Sequence, residues 1–167
     1  MIFETERLLI RKLVLDDLLS YHELESNPMV LKYATGKPKT FNANEKELIA
    51  LISKYNQPKN DFWIYAIERK TDKSFIGTVA LVKDKFDDEI GYRFLEKVWK
   101  LGYGSEICKG LIPYCKKIGM KKIIGYVVDN NRASSKILEN NNFKIIHSFT
   151  NDENQQETKY ELGLNIN

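Results

Sequence analysis

Ile90-Gly91-Tyr92-Arg93-Phe94-Leu95-Glu96-Lys97-Val98-Trp99-Lys100-Leu101-Gly102-Tyr103-Gly104-Ser105-Glu106-Ile107-Cys108-Lys109-Gly110-Leu111 changes character partway along. Ile90 to Leu95 has the β-favouring composition of a strand. Tyr103, Ile107, Leu111, Tyr114, Cys115 and Ile118 recur at the one-face spacing of a helix. Between the two lies a glycine-punctuated turn, Trp99 to Ser105. Such a turn leaves backbone N–H groups unpaired at the helix start, where they and the helix dipole favour an anion, above all a phosphate. Gly102 and Gly104 carry no Cβ, so a bulky anion can come close to the backbone. Lys100, Leu101, Gly102, Tyr103, Gly104 and Ser105 are therefore candidate anion-binding residues. The same turn also serves as a plain strand-to-helix connection. It is not a P-loop, since no Gly-Lys-Ser/Thr follows, and it lacks the third glycine of a dinucleotide fingerprint.

Working outward, Phe62–Ile67, Phe75–Val82 and Glu89–Leu95 read as strands joined by turns at 71–74 and 84–88, an antiparallel meander. Past the central helix, Ile123–Val128 is a near-continuous apolar run, suited to a strand paired on both edges and covered on both faces. Strand, crossover helix and strand imply one parallel pair. Phe143 starts another strand, a polar hairpin loop runs from 151 to 156, and Thr158–Leu164 gives the last strand. At the other end, Glu4–Leu13 reads as a first strand. Asp16 and Asp17 open a helix with Leu18, Leu19 and Leu24 on its apolar side, and Asn27-Pro28 closes it. Met29–Tyr33 reads as a short helix. Asn42 or Asn44 caps a further one that buries Leu48, Ile49, Leu51 and Ile52. Pro113 should bend the central helix or end it early. The expected fold is α/β (α+β), a mixed, mostly antiparallel twisted sheet of about seven strands flanked by helices. A chain of 167 residues forms a single domain, 1–167.

Composition excludes several classes. No run approaches the roughly 18 apolar residues of a membrane span, and no basic region followed by an apolar core marks a signal peptide at the N-terminus. Cys108 and Cys115 fall seven apart, too far for a disulfide, so a reduced, cytoplasmic protein with two buried thiols is expected. Neither His22 nor His147 shows metal-ligand spacing with them. Net charge is +3, without the basic excess and interleaved aromatics of a nucleic-acid surface. Lys116, Lys117, Lys121 and Lys122 read as a solvated helix end.

The turn resembles the acetyl-coenzyme A binding motif of the GNAT N-acetyltransferases, a loop of form Arg/Gln-x-x-Gly-x-Gly/Ala that binds the pyrophosphate. Here it is Trp99-Lys100-Leu101-Gly102-Tyr103-Gly104, with Trp in place of Arg/Gln. Gly91-Tyr92-Arg93-Phe94, together with Trp99 through Gly104, is similar to the RimJ/RimL-like branch. So is the opening Thr5-Glu6-Arg7-Leu8-Leu9-Ile10-Arg11-Lys12-Leu13, followed by Asp16-Asp17-Leu18. A third patch matches too: Asn131-Arg132-Ala133-Ser134, then Ile137-Leu138 and Asn142-Phe143, with Asn142 where the branch has glycine. Asn tolerates the left-handed helix end that a glycine would occupy. On residue preferences alone, Asn131 is an N-cap and Ser134 an ordinary first-turn residue.

The resemblance implies acetyl transfer from acetyl-CoA to a primary amine by direct attack, with no metal. Many GNAT enzymes carry a tyrosine one turn beyond Ser134 as acid for the leaving thiolate; Leu138 stands there, which leaves Ser134 as donor to the coenzyme sulfur. Asn131 would orient the pantetheine, and backbone N–H groups near Phe94 and Leu95 would polarise the thioester carbonyl. The attacking amine must be neutral, which calls for a base. Glu89 is the first candidate and Glu153 the second, although both also read as solvated surface acids. Acceptors in the family range from ribosomal protein N-termini to small-molecule amines; Asp84, Asp87 and Asp88 hint at an acidic acceptor groove. Oligomeric state is open, with a homodimer allowed. The rival reading is a CoA-binding module without catalysis.

Overall fold

The computed structural model describes residues 1–34 and 36–164. Two tight turns, with Lys73 and Lys85 in the left-handed conformation, fold β3 (Phe62–Arg69), β4 (Ser74–Asp84) and β5 (Asp87–Phe94) into the expected meander. Helix α4 (Tyr103–Lys117) carries the chain back, and β6 (Lys122–Val128) returns parallel to β5. Helix α5 (Arg132–Asn140) leads into the hairpin of β7 (Lys144–Thr150) and β8 (Gln156–Gly163), whose second strand lies against β6. At the other edge, β1 (Phe3–Glu4) and β2 (Leu8–Lys12) join β3. Among the described residues this makes one eight-stranded sheet, β1-β2-β3-β4-β5-β6-β8-β7, antiparallel except at β5–β6.

Neighbouring side chains on a strand point to opposite faces, so β5 defines two sides of the sheet. Arg93 reaches Glu25 of α1 (Leu18–Ser26), whereas Tyr92 lies beside Gly104 of α4. Helices α4 and α5 thus cover one face; α1 and α3 (Phe41–Lys54) cover the β3–β4 part of the other. Leu24 and Leu48 from the second pair, Ile107 and Leu111 from the first, and Ile10, Ile67 and Ile123 from the sheet are almost fully buried. Each such side chain contributes roughly 1.5–3 kcal/mol.

The parallel pair has an unusual register. β5 and β6 are bridged only at Glu89 and Ile124 among the described residues, yet β5 continues to Phe94 and β6 to Val128. An ion pair from Asp87 to Lys122 ties the strand starts together at 2.9 Å, and Asp87 also pairs with Lys159 of β8 at 2.7 Å. The strands therefore part toward their C-terminal ends and open a V-shaped slot. The N-termini of α4 and α5 lie at the same end, because each helix follows one arm of the V.

Several expectations are corrected. The first strand is two, β1 and β2, because Thr5–Arg7 turns between them. Asp17 stands at the N-cap of α1 as expected, but its side chain makes no cap bond there: it is buried and takes both Arg11 NH1 and NH2 at 2.8 Å, in a pair that braces the 3-10 turn Leu15–Asp17. Leu19 is 75% exposed, and Tyr21 takes the core position instead. The short helix α2 spans only Pro28–Leu31. Thr40, not Asn42 or Asn44, caps α3 by accepting from the Ala43 amide, and Asn44 is fully buried against His22. Ile49 is half exposed. Of the two outcomes expected at Pro113, an early end is excluded, since helix α4 runs on to Lys117. No helix among the described residues is long and apolar enough to cross a membrane.

Candidate active site

The Trp99 side chain holds the start of the loop from Trp99 to Gly104. Trp99 Nε1 donates to the Phe94 carbonyl at 2.9 Å, which folds the loop back on the end of β5. That gives the Trp in the motif's first position a structural use. Lys100 and Gly102 both take positive φ, 62° and 83°. Gly102 is the N-cap of α4, and its left-handed backbone is what requires glycine there. The Glu106 N–H donates to the Gly102 carbonyl at 3.1 Å, the first bond of the helix. The amides of Tyr103, Gly104 and Ser105 donate to no protein group among the described residues, leaving three donors at the positive end of a helix dipole. Gly104 also has a packing role that its motif position does not announce. A Cβ on it would lie 3.0 Å from Ile137 Cδ1 and 3.7 Å from Tyr92, so its bareness serves close packing of α4 on α5. Gly104→Val is expected to lower unfolding stability by about 1–3 kcal/mol, read by denaturant titration.

The slot between β5 and β6 supplies polar groups. The Leu95 amide is not free, since it donates to the Ile76 carbonyl at 2.9 Å, and this removes Leu95 as an oxyanion donor. Bonded and non-bonded pairs alternate along an antiparallel ladder. Phe94, opposite Gly77, is then of the non-bonded kind with respect to β4. Its carbonyl turns outward to Trp99, and its N–H points toward the departing β6.

Glu89 stands at the vertex of the V, two and four residues before Gly91 and Arg93 and so on the α1 face. Burial raises its pKa to about 7, and the nearby Asp84 and Glu157 push the same way against Lys159. A carboxylate with that pKa exchanges protons near neutrality, as a general base must. Tyr126 donates to Asp84 at 2.6 Å beside it. Asp87 and Asp88 do not build the acidic groove they hinted at: lysines neutralise both, Lys122 and Lys159 at Asp87, Lys83 at Asp88. The Glu153 side chain is exposed at the tip of the β7–β8 hairpin, away from any buried environment.

On the other arm, Asn131 caps α5: its Oδ1 accepts from the Ser134 amide at 3.3 Å. That oxygen is committed to the helix, so any hold on a ligand falls to the side-chain amide nitrogen. The Ser134 hydroxyl is half-buried and makes no hydrogen bond among the described residues, which leaves it able to donate. Leu138 is buried against Gly125 of β6, so this position faces core and supplies no acid. Burial raises the Cys108 and Cys115 thiols to about 11 and about 12, which keeps both protonated and inert near neutrality.

Sequence reading missed a polar network on the α1 side. Arg93 binds both oxygens of buried Glu25 at 2.9 Å, and Tyr21 donates to Glu47, which also pairs with Lys39. Arg93 belongs to the Gly-Tyr-Arg-Phe stretch already singled out. Its partners lie far along the chain, and no local spacing announces them.

The mixed sheet with its single parallel pair, and the free amides at the head of α4, define an α/β domain with an anion-accepting helix start beside the β5–β6 pair. The chain matches the acetyltransferase (GNAT) domain over residues 7–144 and belongs to that family of N-acetyltransferases. It is 27% identical over 142 residues to YoaA of Bacillus subtilis, an uncharacterized N-acetyltransferase, a match covering 82% of this chain and 79% of that protein. Among solved structures, a GNAT-family acetyltransferase from Bacillus anthracis superposes with a TM-score of 0.85 at 21% identity, over 97% of this chain and 98% of that one. RimL, a ribosomal L7/L12 α-N-protein acetyltransferase in complex with coenzyme A, gives 0.83 at 15% identity, over 96% of each chain. A spermidine N-acetyltransferase from Vibrio cholerae, with CoA and spermine, gives 0.80 at 18% identity, over 95% of this chain and 96% of that one.

Proposed function

We propose that the chain moves the acetyl group of acetyl-CoA to a primary amine by direct attack in a ternary complex, in the manner of the RimJ/RimL-like branch. The observation that carries this reading is the parting of β5 and β6 beyond Glu89 and Ile124, with an outward Phe94 amide on one arm. In this reading the Tyr103, Gly104 and Ser105 amides hold the coenzyme diphosphate, with Lys100 beside them, and the pantetheine threads the slot. The Phe94 N–H polarises the thioester carbonyl; a donor of this kind typically matters by ~10²–10³ in rate. The amine approaches from the α1 face, where Glu89 takes its proton. The bond from nitrogen to the acetyl carbon forms, the carbon–sulfur bond breaks, and Ser134 donates to the leaving sulfur. Most of the remaining acceleration is positioning.

The acceptor is an amine of one of two kinds, a protein α-amino group as for RimL or a small polyamine as for the spermidine enzyme. With Asp87 and Asp88 neutralised, Glu89, Asp84 and Glu157 are the carboxylates left to attract a cation to the vertex. Two free, buried thiols suit a reduced, cytoplasmic setting. The test is a panel of peptides, polyamines and amino acids with acetyl-CoA, read as release of free thiol. Amine-dependent thiol release is expected, and none from any amine would remove the assignment. Ser134→Ala should lower turnover by more than it lowers acetyl-CoA affinity, measured side by side; an unchanged turnover would return Ser134 to a plain helix residue.

A further inference from the structure

The loop at the head of α4 is fixed by a residue nearly a hundred positions away in sequence. Arg7, in the turn between β1 and β2, reaches across to it. Its Nε donates to Glu106 Oε2 at 2.6 Å and its NH1 to the Leu101 carbonyl at 3.0 Å. Its guanidinium lies over the Tyr103 ring, 4.5 Å from the centroid. Its backbone N–H and the Thr5 hydroxyl both donate to Glu106 Oε1, at 2.8 and 2.6 Å. A Cβ on Gly102 would meet Arg7 NH2 at 3.4 Å, so the side chain lies directly against the left-handed glycine.

The arrangement has a second consequence. Glu106 is a carboxylate in the first turn of α4, at the end of the helix where an anion would bind. A bare negative charge there would repel a phosphate. Burial alone would raise the Glu106 pKa, but bonds from Thr5, the Arg7 amide and the Arg7 side chain hold it below its ordinary value, so it stays ionised. Both oxygens are turned toward the β1–β2 turn and matched by the guanidinium charge. The three amides ahead of it are left as the groups an anion meets.

We infer that Arg7 is the positioning residue of the coenzyme loop: it clamps Leu101 and Glu106 on either side of Gly102, fixes the aim of the Tyr103–Ser105 amides and cancels the Glu106 charge. This rests on the reading of that loop as the diphosphate site. Arginine is required for its geometry, since its planar fork reaches a carboxylate and a carbonyl at once, which a lysine ammonium on a flexible stem does not reproduce. The Arg7 side chain is 41% exposed, so its replacement leaves the core intact.

The test compares the wild type with R7Q and R7K, using acetyl-CoA and S-acetylpantetheine, which lacks the diphosphate, with binding read by calorimetry and turnover with the best amine of the panel. R7Q should weaken acetyl-CoA binding and raise its KM by roughly tenfold, with kcat at saturation and use of S-acetylpantetheine unchanged. R7K should fall close to R7Q. Wild-type affinity in R7Q, an equal loss with both donors, or full rescue by lysine would each overturn the positioning role. If the wild type itself binds no acetyl-CoA, the diphosphate site falls, and the role of Arg7 with it.

Discussion

Glu89→Gln is expected to lower turnover at neutral pH by ~10²–10⁴, the usual worth of a positioned general base. The wild-type pH profile should rise through about 7, where the buried Glu89 loses its proton. The amine adds its own limb at higher pH, since a free α-amino group titrates near ~8 and a lysine-like amine near ~10.4. The variant should lose the lower limb and keep the upper one. Stability should move the opposite way. The folded-state pKa of Glu89 lies above its ordinary value, so between the two the folded chain keeps a proton that the unfolded chain has released. Wild-type stability therefore falls as pH rises through that window. Glutamine does not ionise, so the variant should melt higher than the wild type at about pH 8 and similarly at about pH 4. A slower but more stable enzyme is the signature of a catalytic carboxylate whose buried charge costs the fold stability. A profile identical to the parent's would acquit Glu89.

Gly77→Ala should cost more stability than alanine at any other glycine of the chain. A Cβ at Gly77 would sit 2.1 Å from the Arg93 carbonyl oxygen and 3.1 Å from the Phe94 Cα, and both are backbone atoms. A side-chain tip can swing aside, but a ladder strand cannot. The β4–β5 pairing must open at the point that fixes Phe94. A cost of about 3–5 kcal/mol follows, at the severe end for point substitutions. Because Phe94 carries the outward amide, activity should fall even at temperatures where the variant remains folded. Denaturant unfolding and turnover on the same sample check both; unchanged stability would mean that β4 and β5 lie farther apart than described.

The sheet was legible because its signals are local. The turns at Lys73 and Lys85 sit where the sequence places them, and the apolar run of β6 announces a strand buried between neighbours. Asn142 ends α5 in the left-handed conformation its type allows. The errors came where a long-range partner decided the outcome. Asp17 caps α1 as read, but its buried pair with Arg11 is not announced, and Leu19 reads as core until Tyr21 takes that side. Gly110 looks like a weakness of α4 beside Pro113, yet a Cβ there would strike Thr5 Cγ2 at 2.5 Å, so the gap admits β1.

The candidate site divides in the same way. Its glycines and its capping Asn131 stand out as motif residues, but spacing does not tell an anion cradle from a packing contact. Gly102 takes a left-handed backbone angle, and Gly104 lies against its neighbour Ile137 whether or not an anion sits beside it. The Leu95 amide looked as available as that of Phe94 until the β4–β5 register assigned it to Ile76. Arg7 and Glu25 carry no motif of their own that points to the loop or to Arg93. They are joined to them only by the topology of the sheet.

The most direct measurement is a crystal structure of the chain grown with acetyl-CoA. Diphosphate oxygens are expected within about 2.7–3.2 Å of the Tyr103, Gly104 and Ser105 amides, with the thioester in the slot and its carbonyl toward the Phe94 N–H. A coenzyme bound elsewhere, or a slot filled by the protein's own side chains, would contradict the account.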